Sequence, residues 1–248
     1  MFLFSFIAKP FLPDQKVSHV LVAADLSEEL KKAIEDLGVT AVSSPYSKSL
    51  PRHIRFHPDM NCRHLGGKRF AVFKDSENLS PILSLGAELV FVDPPEKPVY
   101  PYDAALNYLP LGNKIICNPE AADKSSMKML PCADKISVKQ GYSACSVAVL
   151  SEDTIITGDK GIRREAERYG IKVLNADHSG IILEGYNNGF IGGASGLTAP
   201  DTICFTGDTS GVINSDEIKA MGYKIVILGN SPMTDVGGIV PIMQVSKV

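Results

Sequence analysis

The 248-residue chain has no tryptophan, and its aromatic content is only 7%. Its five histidines leave few candidates for a general base or a metal ligand. None of the five cysteines, Cys62, Cys117, Cys132, Cys145 and Cys204, stands in a CxxC pair, so neither a zinc ribbon nor a thioredoxin-type site is expected. Unpatterned thiols in odd number read as the reduced side chains of a cytoplasmic protein. No apolar run is long enough to span a bilayer. Phe2–Ile7 lacks the basic flank and small-residue cleavage site of a signal peptide and reads as an edge or closing strand. Charge of either sign is weak: 25 Lys and Arg against 28 Asp and Glu give a formal net charge of −3, with no basic tract. No nucleic-acid or membrane partner and no cofactor is therefore indicated. Hydrophobic content of 44% with 21% charged residues is what a globular protein with a real core requires.

What the chain does have is repetition. An amphipathic helix, a glycine and an apolar strand recur at intervals of about 40–50 residues, the spacing of a propeller or solenoid array. Thr157-Gly158-Asp159 leads into a helix through Glu165 and Tyr169, then Gly170 and Ile171–Leu174. Thr206-Gly207-Asp208 leads likewise through Asp216 and Met221 to Gly222 and Tyr223–Leu228. Earlier copies run from Ala24-Asp25 to Val42 and from Lys74-Asp75 to Val92, and a weaker one from Asn118 through Ala133 to Val138.

Each unit reads as strand, strand, helix, strand. Val147–Leu150 and Thr154–Thr157 flank a Ser151-Glu152-Asp153 turn, and Pro200-Asp201 turns into Thr202–Phe205. Leu26, Leu30, Ala33, Ile34 and Leu37 recur at helical spacing, so the helix has one buried side. Ser27 is placed to cap it, and Gly38, Gly86, Gly170 and Gly222 sit where left-handed C-caps are needed. One-sided helices covering one face of each small sheet predict a single α/β domain over residues 1–248. Its five blades are arranged radially, with the helices outside.

This pattern resembles the pentein fold, the five-bladed α/β propeller of guanidino-group modifying enzymes such as agmatine and arginine deiminases and amidinotransferases. The same architecture serves without catalysis in a ribosome anti-association factor. Gly185-Tyr186-Asn187-Asn188-Gly189-Phe190-Ile191 is similar to a blade start of the agmatine deiminases. Asp235–Gln244 is similar to the glycine-rich terminal strand that returns to the first blade. By that resemblance the nucleophilic cysteine falls near Pro241 and the catalytic histidine at Tyr142. Without a thiolate and a proton-transfer partner the covalent amidine mechanism has nothing to run on. Fold similarity therefore does not carry the reaction with it.

The densest polar constellation runs from Arg52 to His64. On a regular strand His57 and Asp59 point one way and Cys62 and His64 the other, so no metal is expected. Asp59 is placed facing solvent, ready for a cation, or else pairing with Arg55 or Arg63. Blade starts line the axial cleft of a pentein. The candidate ligand-binding residues are accordingly Asp59, Asn61, Asp103, Asn187, Asn188 and Asp235, because carboxylates there suit a guanidinium or ammonium group. Cys145, with His57 as its base, is the candidate for a relocated nucleophile, against a plain buried thiol. Three functions stay open. One is a catalytically divergent pentein binding a small guanidino or amino-acid-like ligand. The others are a carbon–nitrogen hydrolase using Cys145, and a ribosome- or protein-binding module.

Overall fold

The computed structural model describes residues 3–131, 134–229 and 231–246. The expected places of Phe2, Cys132 and Ala133 lie outside the described residues. The first unit contains β1 (Phe4–Phe6), β2 (Val17–Val22), α1 (Glu28–Glu35) and β3 (Thr40–Ser43). The second contains α2 (Pro58–Asn61), β4 (Cys62–His64), β5 (Arg69–Phe73), α3 (Ser80–Leu83) and β6 (Glu88–Val92). The third has β7 (Leu109–Leu111), β8 (Lys114–Cys117), α4 (Lys124–Met127) and β9 (Asp134–Ser137). The fourth has β10 (Ala148–Ser151), β11 (Thr154–Thr157), α5 (Lys160–Arg168) and β12 (Lys172–Asn175). The fifth has β13 (Ser195–Ala199), β14 (Thr202–Phe205), α6 (Ser215–Ala220) and β15 (Lys224–Ile227), before β16 (Val240–Val245) returns to the first.

In the second to fifth units an antiparallel pair is followed by a helical crossover to a parallel third strand. The first sheet has the order β1-β16-β2-β3, with β16 antiparallel to both neighbours. The two chain ends thus share one sheet, as the sequence predicts. Ser27 Oγ accepts from the Leu30 amide at 3.3 Å and Asp159 Oδ1 from the Ile162 amide at 2.8 Å, satisfying orphan N–H groups of α1 and α5. The fifth unit departs from the fourth here. Asp208 closes a turn onto Ser210, and the cap of α6 is Asn214.

Five hydrophobic clusters join the sheets in cyclic order. Leu21 and Ile242 meet Phe70 and Ile82 between the first and second sheets. Phe73 and Val92 meet Tyr108 and Ile115 between the second and third. Ile116 and Ile136 meet Ile155 and Ile162 between the third and fourth. Ile156 and Leu174 meet Ile203 and Phe205 between the fourth and fifth. Cys204 and Leu228 meet Val20 and Ile34 back at the first. Each sheet buries both faces against a neighbour, and the ring closes. Among the described residues no helix is long and apolar enough to cross a membrane.

One local expectation changes. Residues 57–61 are not an extended strand, because Pro58 opens a helical turn as its first residue, where its missing N–H costs nothing.

Because β16 lies between β1 and β2, removing it strips the ladder from both and exposes Val240, Ile242 and Met243. Deleting residues 237–248 should abolish the cooperative thermal transition followed by circular dichroism. A truncated chain melting at the wild-type temperature would show that closure is dispensable.

Candidate functional site

The segments that enter β4, β7, β10, β13 and β16 meet at the centre of the ring, and their backbone groups bond in a circle. Asn107 Nδ2 donates to the Asp59 carbonyl at 3.2 Å, while its Oδ1 accepts from the Ala144 and Cys145 amides at 2.9 and 3.1 Å. The Cys145 carbonyl accepts from the Gly192 and Gly193 amides, at 2.7 and 3.1 Å. The Gly193 carbonyl accepts from the Val236 and Gly238 amides, at 2.9 and 2.8 Å. The Gly237 carbonyl accepts from the Asp59 amide at 3.3 Å, completing the circle. Gly193 is required because any Cβ there would collide with the Asp235 carboxylate.

Inside this circle sit the chemically interesting groups. Cys145 Sγ donates to Asp59 Oδ2 at 2.7 Å, and Asn107 Nδ2 approaches the same sulfur at 2.9 Å. Asp59 Oδ1 is buried without a partner. Burial, reinforced by the Asp235 charge, pushes the Asp59 carboxyl up to about 8. Burial also raises the Cys145 thiol, helped by the charges of Asp59 and Asp235. An activated nucleophile needs the opposite shift. His57 lines the same small compartment as Cys145, but among the described residues no hydrogen bond joins them, and its Nδ1 lies 3.7 Å from Asp235 Oδ1.

Asp59 therefore corrects the sequence reading: it is 4% exposed rather than facing solvent. It does not pair through its carboxylate with Arg63, whose Nη2 donates to the Asp59 carbonyl at 3.0 Å and whose Nε donates to that of Leu106 at 2.8 Å. The Arg63 guanidinium is fully buried over the rings of Phe11 and Tyr108.

The other candidates do not converge. Asn61 is buried, accepting from the Ser47 amide and donating to the Arg55 and His57 carbonyls. Asp103 is buried and accepts from the Tyr142 hydroxyl at 2.7 Å, with Oδ1 unpartnered. Desolvation raises Asp103 and, with the Asp103 hydrogen bond, Tyr142 as well. Asn187 is exposed, and the Asn188 amide donates to the Gly189 carbonyl. Of the six, Asp235 alone lines the open space beside His57, with its side chain only 1% exposed.

That space is a cleft of about 340 Å³ between the first and fifth units, lined by Asp25, Glu29, His53, His57, Glu184 and Asp235 among others. Its described lining holds four carboxylates and no lysine or arginine. The Asp235 carboxylate is held by the Phe190 and Gly237 amides, both at 2.9 Å. His57 is 7% exposed, and among the described residues no hydrogen bond reaches its ring nitrogens. Desolvation lowers its pKa, against the pull of Asp235 and Asp25. His57, Leu183 and Asp235 also line an inner compartment of about 20 Å³, walled by Ile54, Met60, Tyr142, Cys145, Tyr186 and Phe190. Asp25, Glu29 and Glu184 were not among the residues expected from sequence. The pairing of Asp25 with Ser27 and Glu29 at a helix start reads only as capping.

The Asp59 carboxyl makes stability depend on pH. With a folded value near 8 against 3.8 for the free group, the folded state keeps a proton that the unfolded chain releases. The contribution is complete below the free value and is lost as pH rises through the folded one, at ~1.4 kcal/mol per pH unit. Asp59→Asn cannot ionise and should remove this slope, leaving the variant at least as stable as wild type near neutral pH. Urea unfolding across the neutral range checks this, and an unchanged slope would mean that Asp59 titrates normally.

The fold is similar to that of the inosamine-phosphate amidinotransferase StrB1 from Streptomyces griseus, at 11% identity over 100% of this chain and 98% of that one, with a TM-score of 0.56. It is also similar to SxtG, an amidinotransferase of the saxitoxin biosynthetic pathway from Microseira wollei, at 9% identity, 92% and 96% coverage and a TM-score of 0.55. DDAH from Pseudomonas aeruginosa, in complex with citrulline, gives 9% identity, 93% and 100% coverage and a TM-score of 0.52. These structures share the pentein fold, and so does this chain. No curated protein matches it by sequence. Residues 21–240 match the model of the family of unknown function DUF6873, and the chain belongs to that family.

Proposed function

We propose that this chain is a catalytically divergent pentein that binds a small organic cation in the cleft between its first and fifth units. The observation that carries this reading is the lining: Asp25, Glu29, Glu184 and Asp235 surround one space with no lysine or arginine among its described residues, and the histidines there, His53 at 4.0 Å from Glu184 and His57 at 3.7 Å from Asp235, leave Asp25 and Glu29 without a counter-ion in the lining. A carboxylate held by backbone amides, as Asp235 is, stays oriented for a ligand donor without further ordering cost. Guanidino, amino and amino-acid-like compounds all meet the basic charge requirement.

Support for divergence comes from three positions. Pro241 occupies the second residue of β16, near where the resemblance puts a cysteine. Tyr142 stands in the place of the histidine and is committed to Asp103. Cys145 is raised in pKa and bonded to a neutral acid, which argues against the alternative of a relocated nucleophile. The twin side chains Asp25 and Glu29 are exposed, so replacing them leaves the core intact.

Wild type should be stabilised by millimolar n-butylamine, n-butylguanidine or arginine in thermal melts, because a ligand at 100 times its Kd adds ~2.7 kcal/mol to the folded state. Release of ammonia or urea from guanidino compounds should stay at background. Absence of a shift with every cation would remove the binding reading, while steady turnover would remove the divergence.

A further inference from the structure

We propose that the turn Lys9–Leu12 is a stopper, which seats Phe11 in one end of the ring axis and keeps water from Arg63 and from the Asp59–Cys145 pair. The backbone of the turn is the first sign. The Leu12 amide donates to the Lys9 carbonyl at 3.0 Å, Pro10 stands second, and Phe11 stands third with φ of 65°. A positive φ at that position is ordinarily supplied by glycine or asparagine, and a bulky side chain there is strained. Such a conformation persists only where the surroundings over-determine it, so the ring is held for what it touches.

What it touches is the axis. Phe11 packs against the cluster between the first and second sheets and against the one between the third and fourth. Its ring faces the Arg63 guanidinium at 5.4 Å. A cavity of about 20 Å³ is lined by Phe11 together with Asp59, Ala144, Gly192 and Gly237, all members of the central circle. Phe11 is half-buried, as a residue that closes a mouth must be. The groups behind it are ones that water would change. Arg63 donates to carbonyls, and Asp59 Oδ1 has no partner, so hydration would favour the ionised acid and release the thiol that donates to it.

The chain on either side of the turn is tied down. The Ile7 amide donates to the Ile242 carbonyl at 3.0 Å, and the Gly67 amide to the Ile7 carbonyl at 2.9 Å. Lys9 pairs with Glu152 in the turn between β10 and β11. Gln244 Oε1 accepts from the Asp14 and Gln15 amides at 2.7 and 3.2 Å. Residues 7–15 thus strap the closing strand to the hairpin tips of the second and fourth units. With this end sealed, the approach to the acid–thiol pair is through the compartment that Cys145 shares with His57.

Alkylation of the native full chain by iodoacetamide, mapped by mass spectrometry, tests the stopper. In wild type Cys145 and Cys204 should both react slowly. Cys204 packs between the fifth and first sheets and is the control for general loosening. Phe11→Ala should accelerate Cys145 by about tenfold or more, within what loss of a packed aromatic side chain releases, and leave Cys204 unchanged. Phe11→Gly should do the same yet melt at a higher temperature than Phe11→Ala, because glycine adopts the positive φ freely. Cys145 as protected in these variants as in wild type, or Cys145 and Cys204 accelerated alike, overturns the stopper. A glycine variant no more stable than the alanine one overturns the strain at Phe11.

Discussion

Everything in this molecule depends on satisfying the backbone at the centre of the ring. Five chain segments arrive there together, away from water, each with N–H and C=O groups that cost free energy if left unpaired. The solution is a circle of bonds from Asp59 through Asn107, Ala144 and Cys145, Gly192 and Gly193, to Gly237 and back. Asn107 is the member that enters the circle through its side chain. An amide side chain both donates and accepts, and here one end reaches the second unit while the other holds two amides of the fourth. The small sheets, three-stranded in four of five units, gain their stability from neighbours rather than from their own ladders. The circle fixes those neighbours at a common radius.

The circle also dictates the electrostatics. Carbonyls turned inward at Asp59 and Leu106 receive the Arg63 guanidinium, so a full positive charge is buried on backbone dipoles and aromatic faces. With Arg63 answered by carbonyls, Asp59 has no close counter-ion, and desolvation holds it protonated. Cys145 then packs as the neutral partner of a neutral acid. The centre of the ring, where the resemblance to guanidino-modifying enzymes locates chemistry, is here closely packed, with small cavities only and Asp59 Oδ1 left without a partner. Open volume survives at its edge, between the first and fifth units.

Much of the fold was legible because it rests on periodicity. The helix of Leu26, Leu30 and Ile34, the Ser151–Asp153 turn and the return of the last strand to the first all follow from spacing and turn chemistry. The site was legible only in part, because it rests on convergence. Asp235 and His57 were named, but Asp59 was misplaced by treating residues 57–64 as one strand. Pro58 carried the contrary signal, since proline after a polar residue is also how a short helix begins. Asp25, Glu29 and Glu184 come from three separate stretches of chain, and no local pattern announces that α1 and the loop after Leu183 face each other. Arg63 was named as a possible partner of the Asp59 carboxylate; a lone buried arginine is rare, and the inward carbonyls that receive it have no signature in the sequence.

The position of the cleft follows from how the pseudo-symmetry is broken. Five similar units would leave five similar gaps, yet among the described residues the gap between the first and fifth is the one whose carboxylate-lined space shares His57, Leu183 and Asp235 with the inner compartment, while the open space between the third and fourth does not. The reason lies in the closing segment. Gly237 has φ of +77°, and any Cβ there would strike His57, so glycine lets the chain turn while His57 presses against its backbone. That contact sets the ring of His57 beside Asp235, whose carboxylate is in turn fixed by the amides of Phe190 and of Gly237 itself. Closure of the ring and preparation of the acid are thus the same set of contacts. A substitution that loosens one will therefore disturb the other.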